Sequence, residues 1–176
     1  MYGHIDSPKE WATHLDILRQ IQVETGGFTE FVPLSFVHYD SPLYLENPSE
    51  VRPGATENEI ELMHAVSRII LSGFIDNIQV SWTKLGPQKA RNLLSMGVND
   101  LGGTLMNESI SRSAGSKNGQ EITEAEMIKI IRSASKIPIR RDTLYREIKA
   151  YNLEDTVNTT DPLVSRDGNN PLSFLN

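Results

Sequence analysis

Residues 28–37 read FTEFVPLSFV, and the apolar side chains of Phe31, Val32, Leu34, Phe36 and Val37 fall on both parities of a two-residue repeat. A strand that is apolar on both faces is buried on both, as in a parallel sheet covered by helices. Immediately before it, Gly26-Gly27 ends a helical pattern in which Trp11, Leu15, Leu18 and Ile21 or Gln22 recur at three-to-four spacing. Ser7-Pro8-Lys9-Glu10 opens that helix as a capping box with proline at the first helical position. Upstream again, residues 1–5 begin as a strand.

Downstream, residues 38–54 contain Pro42, Pro48 and Pro53 among polar residues, which makes a long loop of the kind that often carries function. Thr56-Glu57-Asn58-Glu59 is a second capping box, with Ile60, Met63, Val66 or Ser67, and Ile70 facing inward until Gly73. Residues 78–82 read as a strand, Gly86-Pro87 starts a helix that Gly97 stops, and residues 98–101 form a short strand running into Gly102-Gly103. Residues 111–120 are polar and read as a loop. Thr123-Glu124-Ala125-Glu126 is a third capping box. Ile137-Pro138-Ile139 breaks the helix that follows, and Asp142 is positioned to cap a last one through Leu144, Tyr145 and Ile148. Strand and helix thus alternate, which predicts an α/β fold with four parallel strands, either an open sheet or part of a barrel. A (βα)8 barrel needs eight strands. Residues 1–151 are expected to form the domain, and residues 152–176, rich in Asn, Asp, Thr and Ser, a flexible polar tail.

Composition narrows the chemistry. The 176 residues carry 17 Lys+Arg against 23 Asp+Glu, a net charge of −6 with the basic residues scattered, so nucleic acid is not an expected partner. No apolar run approaches the roughly 20 residues of a membrane span, and the first residues lack a signal-peptide pattern, so a cytoplasmic protein is expected. There is no cysteine, which removes disulfides, thiolate nucleophiles, cysteine-ligated zinc and the usual iron–sulfur ligation.

Candidate site residues gather after the strands, on the carboxyl side where α/β proteins bind ligands. They are His4 and Asp6, then His38 and Asp40, then Lys84, then Asn99 and Asp100. Glu30 interrupts an apolar strand, so its carboxylate is either paired with a basic group or aimed into a ligand cavity. Trp82 and Lys84, two apart on one strand, place an aromatic platform and a cation on the same face. Arg140-Arg141-Asp142 reads as an anion-binding or simply solvated helix start. His14 and His64 lie within helices and read as satisfied structural residues. No metal site is assigned, because His4 and His38 lack the close spacing of an HExxH motif, and the residues alone name no catalytic group.

The strings MYGHIDSPKEWATHLDILRQIQVETGGFTEFVPLSFVH, NIQVSWTKLG and GVNDLGGTLMNESISRSAG resemble the C-terminal part of radical S-adenosylmethionine enzymes of the FO synthase family. More loosely they are similar to the aminofutalosine synthase branch of menaquinone biosynthesis, while HYDSPLY and the later RPG favour the deazaflavin branch. The resemblance implies the C-terminal half of a (βα)8 TIM-type radical SAM barrel. It also implies the 5-amino-6-(D-ribitylamino)uracil–L-tyrosine 4-hydroxyphenyl transferase reaction, with S-adenosylmethionine and a [4Fe-4S] cluster as cofactors and with tyrosine and 5-amino-6-(D-ribitylamino)uracil as substrates. By position in the matching strings, Gly3, His4, Asp6, Glu30 and Pro33 would border S-adenosylmethionine, and Trp82, Lys84, Asn99 and Asp100 the substrate, with His38 beside the same pocket. The family's CxxxCxxC cluster motif is absent from this cysteine-free chain. The expectation is therefore a fragment, a split-gene product or a self-pairing half, inactive without an N-terminal radical SAM half supplied in trans. A non-catalytic ligand-binding or scaffold module is the alternative.

Overall fold

A computed structural model describes residues 1–105, 108–118 and 121–152. The expected flexible tail lies outside the described residues apart from Asn152.

The three capping boxes each start a helix. Helix α1 (Pro8–Thr25) begins where Ser7 and Glu10 exchange side-chain and backbone bonds, and it ends at Gly26 in a left-handed conformation. The same reciprocal pairs, Thr56 with Glu59 and Thr123 with Glu126, start α3 (Glu57–Leu71) and α7 (Glu124–Ser133). On α3 the residues turned inward are Ile60, Met63, His64, Ser67 and Leu71, so Ser67 rather than Val66 takes the core position, with its hydroxyl donating to the Met63 carbonyl. Between these lie α2 (Pro42–Glu46) in the first long loop, α4 (Trp82–Leu85), α5 (Pro87–Leu93) and α6 (Ile110–Ser113) in the second polar loop. Those three short helices, α2, α4 and α6, depart from the sequence reading. Residues 82–85 in particular turn into α4 instead of continuing a strand, so Trp82 and Lys84 do not share a strand face.

The four expected strands are reduced to single parallel bridges, yet they sit side by side in chain order. Tyr2 pairs with Ser35, Phe31 with Ile78, and Gln79 with Asp100, each in parallel. The Tyr2 amide donates to the Leu34 carbonyl and the Phe36 amide returns to Tyr2, both at 2.9 Å. Further along, the Gln79 amide donates to Phe31 at 3.0 Å and the Val80 amide to Asp100 at 3.0 Å. Pro33, buried midway between two of the bridges, has no amide to give, which interrupts the ladder at its centre.

Tyr2, Ile78, Val80 and Leu101 turn toward α1, α3, α5 and α7 and join Leu15, Met63, Leu71, Leu93 and Met127 in one buried cluster. Helix α1 packs on α3, α4 on α5, and α5 on α7.

The last element corrects the sequence reading most sharply. Where a helix capped by Asp142 was expected, an antiparallel hairpin forms from β1 (Ile139–Arg141) and β2 (Glu147–Ala150), with a bulge between Arg140 and Arg141. The Asp142 carboxylate does collect local amides, those of Leu144 at 2.8 Å and Arg146 at 3.0 Å, but it uses them to close the hairpin loop. Ile139, Leu144 and Ile148 stay exposed, so no buried apolar face exists to drive a helix there. Among the described residues no helix is long and apolar enough to cross a membrane.

Candidate functional site

The residues singled out from the sequence fall into three groups. The first surrounds Asp6. Gly3, at φ 87°, lies so close to Ala55 that an added Cβ would sit 2.5 Å from the Ala55 amide nitrogen, so the chain can pass here only as glycine. The turn this allows aims the Gly3 and His4 amides at the Asp6 carboxylate, both at 2.9 Å, and the Trp11 indole N–H donates to the same group. His4 Nδ1 stands 2.8 Å from Asp6 Oδ1, and the His4 ring lies against Phe36 with centroids 5.7 Å apart. Burial alone would raise the Asp6 pKa; the amides of Gly3 and His4 outweigh it and hold the carboxyl below its ordinary value. Asp6 is therefore an anchor for the turn, committed to the Gly3 and His4 amides and the Trp11 indole, while His4 Nδ1 lies beside it without a hydrogen bond among the described residues.

The second group lines a cavity of about 200 Å³ between residues 35–39, the turn at 53–55, α4 and residues 116–118. His38 and Lys84 both face it, although they lie 46 positions apart (84 − 38) in the chain. The His38 ring is held between Tyr39 and Tyr44, with centroids 4.2 and 5.0 Å away. Lys84 Nζ donates to the Ser111 hydroxyl at 3.1 Å. One wall is stapled to α4, where the Ser116 hydroxyl donates to the Thr83 carbonyl at 3.1 Å and the Asn118 amide group to the Lys84 carbonyl.

The third group joins Glu30 to Asp100 through the C-terminal hairpin. Arg141 donates to Asp100 and lies 4.0 Å from Glu30, while the Tyr145 hydroxyl donates to Glu30. The guanidinium carbon of Arg141 sits 3.9 Å from the centre of the Tyr145 ring. Its bond to Asp100 raises the Arg141 pKa further, and burial followed by the Glu30 bond pushes the Tyr145 hydroxyl up. The sequence reading left two options for Glu30, and the structure shows it paired, only half-buried and away from the His38 cavity. Nothing local in the sequence points to Arg141 and Tyr145 as its partners, 111 (141 − 30) and 115 (145 − 30) residues on.

Asn99 and Trp82 are engaged in holding backbone. Asn99 Oδ1 accepts from Arg68 at 2.6 Å and from the Ile78 amide at 2.8 Å. The buried Trp82 donates to the Gly103 carbonyl at 3.3 Å. Lys117, Asn118 and Arg68 are neighbours of these residues that the sequence did not single out; each sits in a polar stretch or helix with no distinguishing pattern. Of the helix histidines, His64 is wholly buried with Nδ1 2.7 Å from the Ile60 carbonyl, and His14 is exposed. Among the described residues no three or more His, Cys, Asp or Glu gather as a metal site would need.

The family model for the CofH/MqnC C-terminal region matches residues 25–153. The chain belongs to this family. Across 151 residues it is 51% identical to the 5-amino-6-(D-ribitylamino)uracil–L-tyrosine 4-hydroxyphenyl transferase of Methanopyrus kandleri, which covers 86% of the chain and 40% of the relative. The transferase of the same name from Methanothermobacter thermautotrophicus is 51% identical over 149 residues, with 85% and 40% covered. The FO synthase of Mycobacterium tuberculosis is 50% identical over 150 residues, which are 85% of this chain and 17% of that protein. The chain thus spans about 40% of the length of these transferases and less of the FO synthase. Most of the residues placed above, from Glu30 to Tyr145, lie inside the matched CofH/MqnC region; Gly3, His4 and Asp6 precede it.

Proposed function

We propose that the chain is the substrate-holding C-terminal half of a hydroxyphenyl transferase acting on tyrosine and 5-amino-6-(D-ribitylamino)uracil, in the cytoplasm, as part of a (βα)8 radical SAM barrel. The 51% identity over 86% of its length to a transferase of that name carries this reading. The parallel, sequential bridges at Tyr2, Phe31, Gln79 and their partners agree with a barrel half.

The [4Fe-4S] cluster does not fit this chain. Its ligation takes cysteine thiolates, and the sequence has none. S-adenosylmethionine enters as a reactant bound jointly with the cluster-bearing half. The work of this chain's own residues is binding and orientation. His4, fixed by Asp6, and His38 with Lys84 are the polar groups that retain capacity for a ligand. Gly3, Pro33, Trp82 and Asn99 position the backbone, and Glu30 and Asp100 hold the hairpin through Tyr145 and Arg141.

The test is reconstitution under anaerobic, reducing conditions with a separately produced N-terminal half from a related transferase. Product is expected only when both halves, tyrosine, S-adenosylmethionine and 5-amino-6-(D-ribitylamino)uracil are present. The isolated chain should bind no iron. A stable complex of the halves that consumes no tyrosine would favour a scaffold role instead.

A further inference from the structure

We infer that the cavity shared by His38, Lys84 and Lys117 is a carboxylate-binding subsite that holds the acid end of an amino-acid-sized ligand. In a chain of net charge −6, two lysines and a histidine face one cavity, and none of the described residues lining it is Asp or Glu. Lys84 forms no ion pair among the described residues; its ammonium donates at 3.1 Å to the hydroxyl of Ser111, whose amide holds the Glu108 carboxylate. No carboxylate pairs with Lys117 or His38 among the described residues, although Lys89, Arg52 and Arg141 all have such partners. Asp40 stands beside Gly115, next to this wall; a concavity whose described lining carries two lysines and a histidine and no carboxylate still favours anions.

Lys117 lies between Ser116 and Asn118, whose side chains are both tied to α4 carbonyls, so the loop bearing it is fixed to the element that bears Lys84. His38 is fixed by its two tyrosine neighbours. The loop that carries Lys117 is thus anchored on the element that carries Lys84, and His38 is held by its own tyrosine neighbours, so the three groups are preorganised.

Size and lining then select the ligand. A concavity of about 200 Å³ has room for a carboxylate head and a short stem. Phe36, Ile60 and Leu85 supply an apolar side to the lining. A small amphipathic carboxylate matches both properties. Tyrosine and the methionine part of S-adenosylmethionine share that chemistry, and choosing these two rests on the proposed function; the anion subsite itself does not.

The experiment is a titration of the full chain, followed by amide chemical shifts, with L-tyrosine, tyramine (the same molecule without its carboxylate) and S-adenosylmethionine. Binding by L-tyrosine or by S-adenosylmethionine, with shifts at residues 38, 84 and 117 and at least tenfold weaker binding of tyramine, supports the subsite and identifies which carboxylate it takes. Lys84→Gln and Lys117→Gln should each weaken that ligand about tenfold, the loss of one charge-assisted contact, while Lys136→Gln, at an exposed residue outside the cavity lining, leaves it unchanged. The inference is overturned if tyramine binds as well as L-tyrosine, if neither carboxylate ligand shifts these residues, or if both pocket variants bind as the parent does. Because no turnover is measured, failed reconstitution would leave this result standing, and the reverse holds as well.

Discussion

Arg141, on the first strand of the C-terminal hairpin, donates to Asp100, which is paired in parallel with Gln79 of the preceding bridge segment. The same guanidinium lies over Tyr145, and Tyr145 in turn reaches Glu30. The hairpin is thereby fastened to the first residues of the second bridge segment and to the fourth segment at once. Tyr145 holds φ 61°, a left-handed conformation that costs a non-glycine residue roughly 1–2 kcal/mol, and the contacts to Arg141 and Glu30 offset it.

Replacing Arg141 with Ala should therefore loosen the whole hairpin. It leaves Asp100, whose side chain is only 9% exposed, without its charge partner. The expected loss is about 2 kcal/mol, or a fall in Tm of about 5 °C for a domain of this size. Tyr145→Phe, which removes only the hydroxyl, should cost about 1 kcal/mol. Equal melting curves for Arg141→Ala and the parent would show that the pair contributes nothing.

Asp6 gives a pH dependence of known sign. Its carboxyl is held below the ordinary value in the fold, so the stability it contributes is present above the unfolded pKa near 4. That contribution drains away as the pH falls through the lowered native pKa. Urea unfolding from pH 6 down to 2.5 should show the parent losing more stability than Asp6→Asn, which has no proton to take up. The variant should also free His4, seen as a shift and broadening of its ring resonances. Parallel stability curves for the two proteins would remove Asp6 from the acid response.

How much of this was legible beforehand follows from range. The helix starts were, because a capping box joins residues only three apart: Ser7 with Glu10, Thr56 with Glu59 and Thr123 with Glu126 all formed as written. The parallel neighbours were legible as apolar segments, although Pro33 and the early turn at Trp82 leave them as bridges rather than full strands. Asp142 was misread because its carboxylate serves a helix cap and a hairpin loop by the same bonds to nearby amides. Only the exposure of Leu144 and Ile148 separates the two outcomes, and exposure is a tertiary property. The site shows the same division. His38 and Lys84 were visible by their place after strands, whereas Lys117 became part of the cavity only through Ser116 and Asn118.

His64 should be responsible for a second loss of stability at milder pH. Burial is the main influence and lowers its pKa, against a smaller opposing effect of the Ile60 carbonyl, so the ring is neutral in the fold. Its Nε2 meets no hydrogen-bond partner among the described residues. The unfolded chain takes up a proton near pH 6.5 that the folded chain refuses, so stability is full above that pH and falls below it. His64→Leu should flatten the curve between pH 7 and 5 and be relatively more stable at pH 5. If the two curves run parallel over that interval, His64 is not the titrating group.

Gly115 controls whether the cavity wall can close. Its φ is 86°, and a Cβ placed there would lie 2.5 Å from the Tyr39 Cβ and 2.8 Å from Asp40 Oδ2. The contact it permits is the one that lets the Asp40 amide donate to the Ala114 carbonyl at 3.1 Å, bringing residues 114–118 onto the segment that carries His38. Gly26 makes the useful comparison, because it is also left-handed at φ 59° but has nothing within 4 Å of its missing side chain. Gly26→Ala should cost only the backbone strain, about 1 kcal/mol, with no effect on the cavity. Gly115→Ala meets that strain and a collision with neighbouring side chains, and should cost about 2 kcal/mol. Its amide spectrum should show residues 38–40 and 114–118 displaced, while those around Gly26 keep their positions. Equal destabilisation by the two variants, with residues 38–40 undisturbed, would mean that the wall is not held by this close approach.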